Sequence, residues 1–311
     1  MDPRTLLKTP RNTIVKLLDN GGEYCHLGLK TGLTNIILKQ IQISKSSLVQ
    51  QFNVDGLPLF KSSGAVLWRT LCMILPFPSP PFVVGMFCGK SKPKCLEEFL
   101  SEFVMELKDL LSNGLNVKNI LYSFSVHSFI CDAPARAFLK NIKCHSGYSS
   151  YEKCSQVGEY CGKVIFPKTN SPLRTDNSFD EMKDEEYHTG SRSPLCDLGF
   201  GMVSRFALDY MNLICLGVTR RLILYWKGPV GPYAVRLGTR GALELSEKLI
   251  AFIPFIPSEF ARKPRSLSEI LRWKAKESKL FSFHFFSLEN GKLKSLNSLT
   301  FHSNICYIQA L

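Results

Sequence analysis

Apolar and polar positions alternate over short runs in the first half of the chain, and each run ends near a glycine, proline or aspartate. The run LVQQFNVDGLPLF, from residue 48, predicts a strand that reverses at Asp55 and Gly56, because an Asp-Gly pair is a strong turn signal. The runs AVLWRTLCMIL and PFVVGMFCG follow it and predict two more strands. Three neighbouring strands joined by short turns predict an antiparallel meander.

The hydrophobic period changes to three and four over residues 95–113, where glutamates fill the opposite face. This pattern predicts an amphipathic helix that ends at Asn113 and Gly114. The run NILYSFSVHSFICD then predicts a strand ending at Asp132, and PARAFLKNI predicts a helix with Pro134 in its first turn. Three antiparallel strands, a helix, a parallel strand and a helix predict an α/β domain with a mixed sheet.

The second half of the chain is less regular. Residues 142–201 show no clear period and predict either an inserted subdomain or a mobile loop. Apolar patterns over residues 202–226, 241–252 and 266–281 predict a helical C-terminal part. The sequence thus divides into five predicted segments: a lead-in (1–47), a core (48–141), a Cys/His-containing insertion (142–201), a helical part (202–281) and a divergent tail (282–311).

Composition narrows the class of protein. A chain of 311 residues with 45% hydrophobic residues excludes disorder over the whole length. The net charge, 39 basic minus 26 acidic residues or +13, favours a polyanionic partner, nucleic acid before membrane. The longest uncharged run, residues 70–89, contains four prolines and therefore predicts two strands, not a membrane span. Eleven scattered cysteines and no signal-peptide pattern after Met1 predict a nuclear or cytoplasmic protein that is not secreted.

Two aspartates close predicted strands. Singly, Asp55 and Asp132 are typical turn formers or helix N-caps, and Asp132 before Ala-Pro fits the N-cap well. Together they gain meaning, because adjacent first and fourth strands would bring both carboxylates to one sheet edge, where cations would offset their repulsion. Such oxygen ligands favour Mg²⁺ or Mn²⁺, and two ions can stabilise both oxygens of a phosphodiester displacement. Glu277 is the candidate third carboxylate; Glu269 and Glu259 remain open, and each glutamate also fits a solvated helix face.

Several strings resemble transposase-derived proteins of eukaryotic cut-and-paste DNA transposons, close to the CACTA (En/Spm-like) group: QFNVDGLPLFKSS, PFVVGMFCGKSKPK, FICDAPARAFLKNIK and IPSEFARKPRSL, with HTGSRSPL and LDYMNLICLGV between them. The similarity covers residues 2–277. It implies an RNase H-like catalytic core with an acidic triad that binds two metal ions and cuts DNA at transposon ends by hydroxyl attack on a phosphodiester. Asp55 in VDGLP matches the first acid of the triad, Asp132 in CDAPA the second, and Glu277 in WKAKE the third.

The resemblance also implies a zinc site in the insertion, built from a CxxC pair and later histidines. Here Tyr151 stands where the first cysteine is expected, Cys154 and His188 are retained, and Asn212 replaces a histidine. Phenol and amide groups do not readily replace thiolate or imidazole around Zn²⁺, so we expect a degraded site without its metal. Three further residues offer an alternative ligand set: Cys144, His145 and Cys161.

Two basic segments are candidates for sequence-independent DNA contact, because neither shows a base-reading motif. Their residues are Lys90, Lys92 and Lys94 in a loop, and Arg262, Lys263, Arg265, Arg272, Lys274 and Lys276 around the proposed third acid.

The ends of the chain depart from the resemblance. We expect an N-terminal DNA-binding module to be absent, because the similarity starts at residue 2. We also expect the core to end early, because the sequence after Glu277 no longer follows the pattern of the family it resembles. An exposed cluster of Phe281, Phe283, Phe285 and Phe286 would favour aggregation unless it packs on the sheet.

Three functional hypotheses follow. The first is a metal-dependent DNA strand-cleavage or strand-transfer enzyme with impaired activity. The second is an inactive transposon remnant that serves at most as a DNA-binding or protein-interaction module. The third is a truncated reading frame that folds poorly.

Overall fold

A computed structural model describes residues 14–19, 21–39, 46–60, 62–75, 80–168, 170–228, 233–258 and 260–288, the last six by their backbone alone. The chain divides into two compact units. The sheet unit comprises Met1–Ser155 and Pro172–Ala207, and the helical unit comprises Gln156–Ser171 and Leu208–Leu311.

The strands of the described residues, in chain order, are β1 (Lys16–Leu17), β2 (Glu23–His26), β3 (Ser47–Pro58), β4 (Val66–Leu75), β5 (Phe82–Gly89), β6 (Leu115–Val117), β7 (Ile120–Cys131), β8 (Glu159–Tyr160), β9 (Val164–Ile165) and β10 (Phe206–Ala207). The α-helices are α1 (Leu29–Lys39), α2 (Leu96–Asn113), α3 (Ala133–Lys140), α4 (Asp176–Asp180), α5 (Arg220–Lys227), α6 (Gly238–Ala251) and α7 (Ala275–Leu288). A π-helix, Tyr210–Thr219, leads into α5. Short 3₁₀ helices cover Pro194–Leu198, Tyr233–Val235, Ile253–Phe255 and Leu267–Arg272.

The sheet unit contains one mixed sheet in the order β1-β2-β5-β4-β3-β7-β10, with β6 paired to β7. Strands β3, β4 and β5 form the predicted antiparallel meander. Strand β7 lies beside β3 and runs parallel to it, as expected for the first and fourth predicted strands. The short strand β10 continues the parallel part of the sheet beyond β7. The α/β class with a mixed sheet is therefore confirmed.

Helix α2 covers one face of this sheet, because its apolar stripe follows the period of three and four that the sequence shows. Phe99, Phe103 and Leu107 are buried on that stripe. The ring of Phe103 meets Phe52 of β3 edge to face at a centroid separation of 5.1 Å, and Phe52 stacks on Phe129 of β7 at the same separation. Aromatic contacts of this kind add to the stabilisation from buried area, so the core of the unit fixes the positions of β3 and β7.

The predicted turn at Asp55 and Gly56 is wrong. Strand β3 continues through both residues to Pro58, and the chain reverses only after it, where the Leu59 amide donates to the Ala65 carbonyl at 2.9 Å. A side chain at Gly56 would place its Cβ 2.8 Å from the indole of Trp68 on β4. The glycine therefore permits a close cross-strand approach and does not form a turn.

Two of the predicted C-terminal helices have different limits. The helix predicted over residues 202–226 begins only at Tyr210, because Phe206–Ala207 is drawn into the sheet beside β7. The helix predicted over residues 266–281 is interrupted at Trp273, which adopts an extended backbone. Its buried indole donates to the Ser266 carbonyl at 3.3 Å, so burial of the indole accompanies the break between Leu267–Arg272 and α7. The helix predicted over residues 241–252 is observed as α6.

The lead-in and the insertion, for which no helix or strand was predicted, contain regular structure in their described residues. The predicted lead-in contributes β1, β2 and α1, and β2 pairs with β5 at the edge of the meander. The predicted insertion contributes the short elements β8, β9 and α4. Its described residues fall partly in the sheet unit and partly in the helical unit.

Candidate functional site

Strands β3 and β7 run side by side, and an aspartate follows a buried residue near the carboxyl end of each strand. Val54 of β3 is in register with Cys131 of β7 in a parallel pairing. Asp55, within β3, and Asp132, directly after β7, each come one residue later. Burial raises the pKa of the Cys131 thiol to about 12, and the negative charges of Asp132 and Asp55 add to this rise. The two aspartates therefore lie near the same end of the adjacent strands β3 and β7.

Asp132 begins helix α3, as its position before Ala-Pro predicts. Its Oδ1 accepts a hydrogen bond from the Ala135 amide at 2.8 Å, and Pro134 occupies the first turn. Asn141 ends the helix in the left-handed conformation, with φ of 54°. The N-cap bond orients the carboxylate and leaves the acceptor capacity of its second oxygen for other partners.

Asp55 lies opposite Arg69 in the antiparallel register of β3 and β4. The Nη2 atom of Arg69 is 3.8 Å from Oδ2 of Asp55, and the two side chains are 36% and 30% exposed. The positive charge of Arg69 and the helix α3 amide that binds Asp132 both offset repulsion between the two acids. The expectation that cations lie between the two carboxylates stays a prediction.

The two aspartates have the donor chemistry of a magnesium or manganese site. Both present hard oxygen ligands on rigid strand ends, and Mg²⁺ is commonly held by one or two carboxylates together with water. In the described parts of the chain, no group of three or more His, Cys, Asp or Glu side chains is arranged to hold a metal ion. Two carboxylates could contribute ligands to one ion, and a two-ion arrangement needs a further acid.

A buried charge network lies directly behind Asp132. The Nε of Arg136 on α3 donates to Glu152 at 2.6 Å, and its Nη1 donates at 2.9 Å to the carbonyl of Cys131. Lys140 donates to the same glutamate at 3.3 Å and to the Tyr187 hydroxyl at 3.3 Å. The side chain of Lys140 is only 1% exposed, and burial lowers its pKa to about 8 despite the opposing effect of Glu152. The network ties α3 to the end of β7 next to the aspartate.

Glu277, the predicted third acid, belongs to the helical unit. Its side chain is 1% exposed, and its two oxygens accept from Nε and Nη2 of Arg265 at 2.6 and 3.1 Å. The Lys274 amide donates to it at 2.7 Å. Burial opposes ionisation, but the hydrogen bonds and charge of Arg265 hold the pKa of Glu277 below its usual value. Within its own unit, both oxygens of the Glu277 carboxylate therefore accept hydrogen bonds that hold the fold.

The alternative third acids differ in their surroundings. Glu269 accepts from Nη1 of Arg265 at 3.2 Å and is partly exposed. Glu259 lies outside the described residues.

The predicted zinc residues take part in packing. Cys154 is buried in the sheet unit, in a bridge with Leu173, and His188 bridges to Ile142. The His188 ring lies 4.8 Å from the Phe179 centroid, and burial lowers its pKa. Tyr151 is also buried in this unit.

The remaining residues around the predicted zinc site lie on surfaces. Asn212 lies in the first turn of the π-helix, where its backbone amide donates to Oδ1 of Asp209 at 3.2 Å. Cys144 and His145 are exposed neighbours with Sγ and Nδ1 3.2 Å apart, and Cys161 is exposed in the helical unit. The zinc expectation, with or without these alternative ligands, stays a prediction.

The predicted basic residues fall into two groups. Lys90, Lys92 and Lys94 lie exposed between β5 and α2, and the Lys92 ammonium is 5.4 Å from the ring centroid of Phe138. In the helical unit Arg262, Arg272, Lys274 and Lys276 are exposed. Arg265 and Lys263 are instead engaged within their own unit, Arg265 with Glu277 and Lys263 with the Ile256 carbonyl at 2.6 Å. The exposed members remain candidates for phosphate contact.

Phe281 of the predicted exposed phenylalanine cluster is buried in the helical unit. Its ring centroid is 5.9 Å from that of Trp273 and 6.5 Å from that of Trp226. The side chains of Phe283, Phe285 and Phe286 lie outside the described residues.

Sequence comparison gives no further assignment: no protein-family model matches the chain, and a search of curated proteins finds no significant match. Among the helices that the model describes, none is both long and apolar enough to cross a membrane.

Sequence reasoning missed the ion pair of Arg69 with Asp55 and the buried network of Arg136, Lys140 and Glu152. Arg69 was hidden by the misplaced turn, because a reversal after Pro58 is needed to set it opposite Asp55. Arg136 and Lys140 are four residues apart and therefore share a face of α3, which is the available signal. Nothing in the sequence indicates that Glu152 is buried between them.

Proposed function

We propose that this protein is a transposase-derived, metal-dependent DNA strand-cleavage or strand-transfer protein with impaired activity. The observation that carries the proposal is the placement of Asp55 and Asp132 one residue beyond the in-register pair Val54 and Cys131, on adjacent parallel strands. Carboxylates at one end of neighbouring strands are suited to hold a divalent ion close to a substrate. The proposal includes an RNase H-like core, supported by three antiparallel strands, a helix, a parallel strand and a helix in that order.

In the proposed reaction Asp55 and Asp132 hold Mg²⁺ or Mn²⁺. The bound ion would supply a hydroxyl nucleophile and stabilise the leaving oxygen of a phosphodiester. The protein contributes orientation: the N-cap bond from Ala135 fixes Asp132, and the contact of Arg136 with the Cys131 carbonyl holds the strand end. Preorganised ligands of this kind reduce the cost of assembling a reactive complex.

DNA is the proposed partner, and its contacts are sequence-independent. The net charge of +13 favours a polyanion. Exposed lysines follow β5 in the sheet unit, and exposed arginines and lysines flank Glu277 in the helical unit. The lysine ammonium groups and arginine guanidinium groups suit contacts with phosphate. Neither segment shows a base-reading sequence motif. A nuclear or cytoplasmic location forms part of the same proposal.

Cleavage of supercoiled DNA in Mn²⁺ tests the proposed activity. We expect nicked product from the wild-type protein and none above background from the double variant Asp55→Ala, Asp132→Ala. Glu277→Gln is the informative third protein: loss of cleavage with unchanged folding would assign it the role of third acid, and retained cleavage would restrict it to structure. Equal product from the wild type and the double variant would overturn the proposal.

The second candidate function is a non-catalytic module that binds DNA or a protein. It is favoured by the full engagement of Glu277 with Arg265 and by the substitutions at Tyr151 and Asn212. This candidate predicts no stoichiometric zinc and no Mn²⁺-dependent cleavage. It also predicts DNA affinity that falls with salt in proportion to the number of phosphate contacts. Metal analysis by mass spectrometry, together with binding at several salt concentrations, separates the two candidates.

A further inference from the structure

Arg69 forms an ion pair with Asp55 that the sequence did not identify. It faces Asp55 across β3 and β4, and the 3.8 Å separation of Nη2 and Oδ2 is an ion pair that is too long for a hydrogen bond. Its Nε is buried and makes no hydrogen bond to any described residue. An arginine beside an acid is ordinarily held by a bidentate contact, so this guanidinium has donor capacity that its carboxylate partner does not use.

The charges of Asp55, Asp132 and Arg69 influence which ligands these side chains attract. Asp55 and Asp132 contribute two formal negative charges and Arg69 one positive charge, which leaves −1 among the three side chains. A phosphodiester carries one negative charge and is repelled by that sum. A divalent cation changes the sum to +1 and reverses the sign of the interaction. Without Arg69 the two carboxylates and the ion would sum to zero.

Guanidinium chemistry favours phosphate as the second partner. The planar group offers five N–H donors in a fork that matches two phosphate oxygens, and it stays charged at all relevant pH values. The side chain of Arg69 is 36% exposed, so a ligand can reach it. A divalent ion and Arg69 also compete for the same Asp55 oxygens, since both are cations that interact with that carboxylate.

We propose that Arg69 is the phosphate-binding residue of the candidate site, and that it exchanges Asp55 for a DNA phosphodiester when a divalent ion binds the aspartates. This inference rests on the proposed function, because it takes Asp55 and Asp132 as the metal ligands. It goes further by naming the group that couples metal binding to DNA binding. Linkage requires the coupling to be reciprocal: DNA strengthens ion binding by the same factor by which the ion strengthens DNA binding.

The test uses the full chain as wild type, Arg69→Gln and Arg69→Lys, with Arg205→Gln as a matched control. Arg205 is an exposed arginine of the same unit that donates to the His127 carbonyl at 3.4 Å. Two measurements are made on each protein. Calorimetry gives the affinity for Mn²⁺ alone, and fluorescence anisotropy gives the affinity for a labelled short DNA duplex in EDTA and in Mn²⁺.

The expected signs differ from those of a structural arginine. Arg69→Gln should bind Mn²⁺ alone about two- to fivefold more tightly, because a half-exposed ion pair no longer competes for Asp55. In Mn²⁺ it should bind the duplex at least about tenfold more weakly than the wild type, because a charge-assisted contact is lost. Its affinity in EDTA should change little. Arg69→Lys should keep the wild-type Mn²⁺ affinity and recover part of the duplex affinity, and Arg205→Gln should match the wild type in every measurement.

Opposite results are informative about different parts of the account. Unchanged Mn²⁺ affinity and an unchanged ratio of duplex affinities in Arg69→Gln would overturn the role of Arg69, even if the wild-type protein cleaves DNA. Absence of Mn²⁺ binding by the wild type would overturn it as well. Coupled binding that Arg69→Gln abolishes, in a protein that does not cut DNA, would support Arg69 and overturn the proposed activity. A folded state equal to that of the wild type, checked by circular dichroism, is required of each variant.

Discussion

Carboxylates in the two units of this protein have contrasting surroundings. Glu277 in the helical unit is 1% exposed, and Arg265 and the Lys274 amide occupy both of its oxygens. Asp55 in the sheet unit is 30% exposed and lies 3.8 Å from Arg69, and Asp132 uses Oδ1 as a helix cap. A buried carboxylate with hydrogen bonds to both oxygens stabilises the fold, whereas partly exposed carboxylates on neighbouring segments can be reached by a ligand. The difference favours the sheet unit as the site of metal chemistry.

Glu152 extends the same contrast inside the sheet unit. It is buried a short distance behind Asp132, and it neutralises Arg136 and Lys140. Burial opposes its ionisation, but the two cations hold the pKa of Glu152 below its usual value. An acid can thus belong to the unit that carries the site and still serve only to hold the strand ends and α3 in place.

The largest predicted effect is on stability. Glu152→Ala leaves two buried cations without their counter-charge and should lower the free energy of unfolding by about 3 to 5 kcal/mol. Urea unfolding followed by the fluorescence of Trp68, which lies in the same unit, measures the change. Glu186→Ala is the control, because Glu186 is exposed and its pair with Lys143 should contribute less than about 0.5 kcal/mol. Equal losses in the two variants would show that the buried network is not stabilising.

Glu277→Ala should destabilise the helical unit by about 2 to 3 kcal/mol, because charged hydrogen bonds to Arg265 are removed from a buried position. The fluorescence of Trp226 and Trp273 reports on that unit. Glu244→Ala, which breaks an exposed pair with Arg240, should change the stability by less than about 0.5 kcal/mol. A neutral effect of Glu277→Ala would remove the contrast between saturated and accessible carboxylates.

The two aspartates should be less costly to replace. Asp132→Ala loses the N-cap of α3 and should lower the free energy of unfolding by about 1 kcal/mol, whereas Asp132→Asn retains a capping oxygen and most of that energy. Asp55→Asn should change the stability by less than about 0.5 kcal/mol, because its pair with Arg69 is half exposed. Thermal unfolding of the three variants checks this order. A loss at Asp55 as large as that at Glu277 would assign Asp55 to structure.

A further predicted effect is a pH dependence of stability from Lys140. Burial lowers the pKa of this amine to about 8 from an ordinary value of 10.5, so between these values the unfolded chain binds more protons than the folded chain. The contribution of Lys140 to stability therefore rises as the pH rises from about 8 towards 10.5. The stability of the wild type relative to Lys140→Met should increase across this window in denaturation experiments at several pH values. A difference that stays constant or falls would contradict a lowered pKa for Lys140.

The sequence predicted the parts of the fold that depend on local periodicity. The apolar stripe of α2, the meander and the cap at Asp132 follow from spacing and residue type. The prediction of a turn at Asp55 and Gly56 was wrong because the glycine accommodates Trp68 from the neighbouring strand. That contact joins residues that are distant in sequence. The strand Phe206–Ala207 was not predicted for a related reason: its two residues pair with β7 but lie in an apolar segment whose pattern predicts a helix.

The site divides in the same way. The expectation that the first and fourth strands bring Asp55 and Asp132 together agrees with the observed parallel register. The ion pair of Asp55 with Arg69 could not be predicted, because it depends on the register of β3 with β4. The contact of Arg136 with Glu152 could not be predicted either, because it depends on the burial of Glu152. The role of Glu277 as third acid remains a prediction, and its ion pair with Arg265 was hidden by a spacing of twelve residues across a break in the helix.

The central claim, that Asp55 and Asp132 form a divalent-ion site, is tested most directly by Mn²⁺ titration followed by electron paramagnetic resonance. The wild type should bind Mn²⁺ stoichiometrically, and the double variant Asp55→Asn, Asp132→Asn should show no binding at the same concentrations. Both proteins are expected to fold, because asparagine keeps the cap and the size of each side chain. Equal Mn²⁺ binding by the two proteins, or none by the wild type, would contradict the claim.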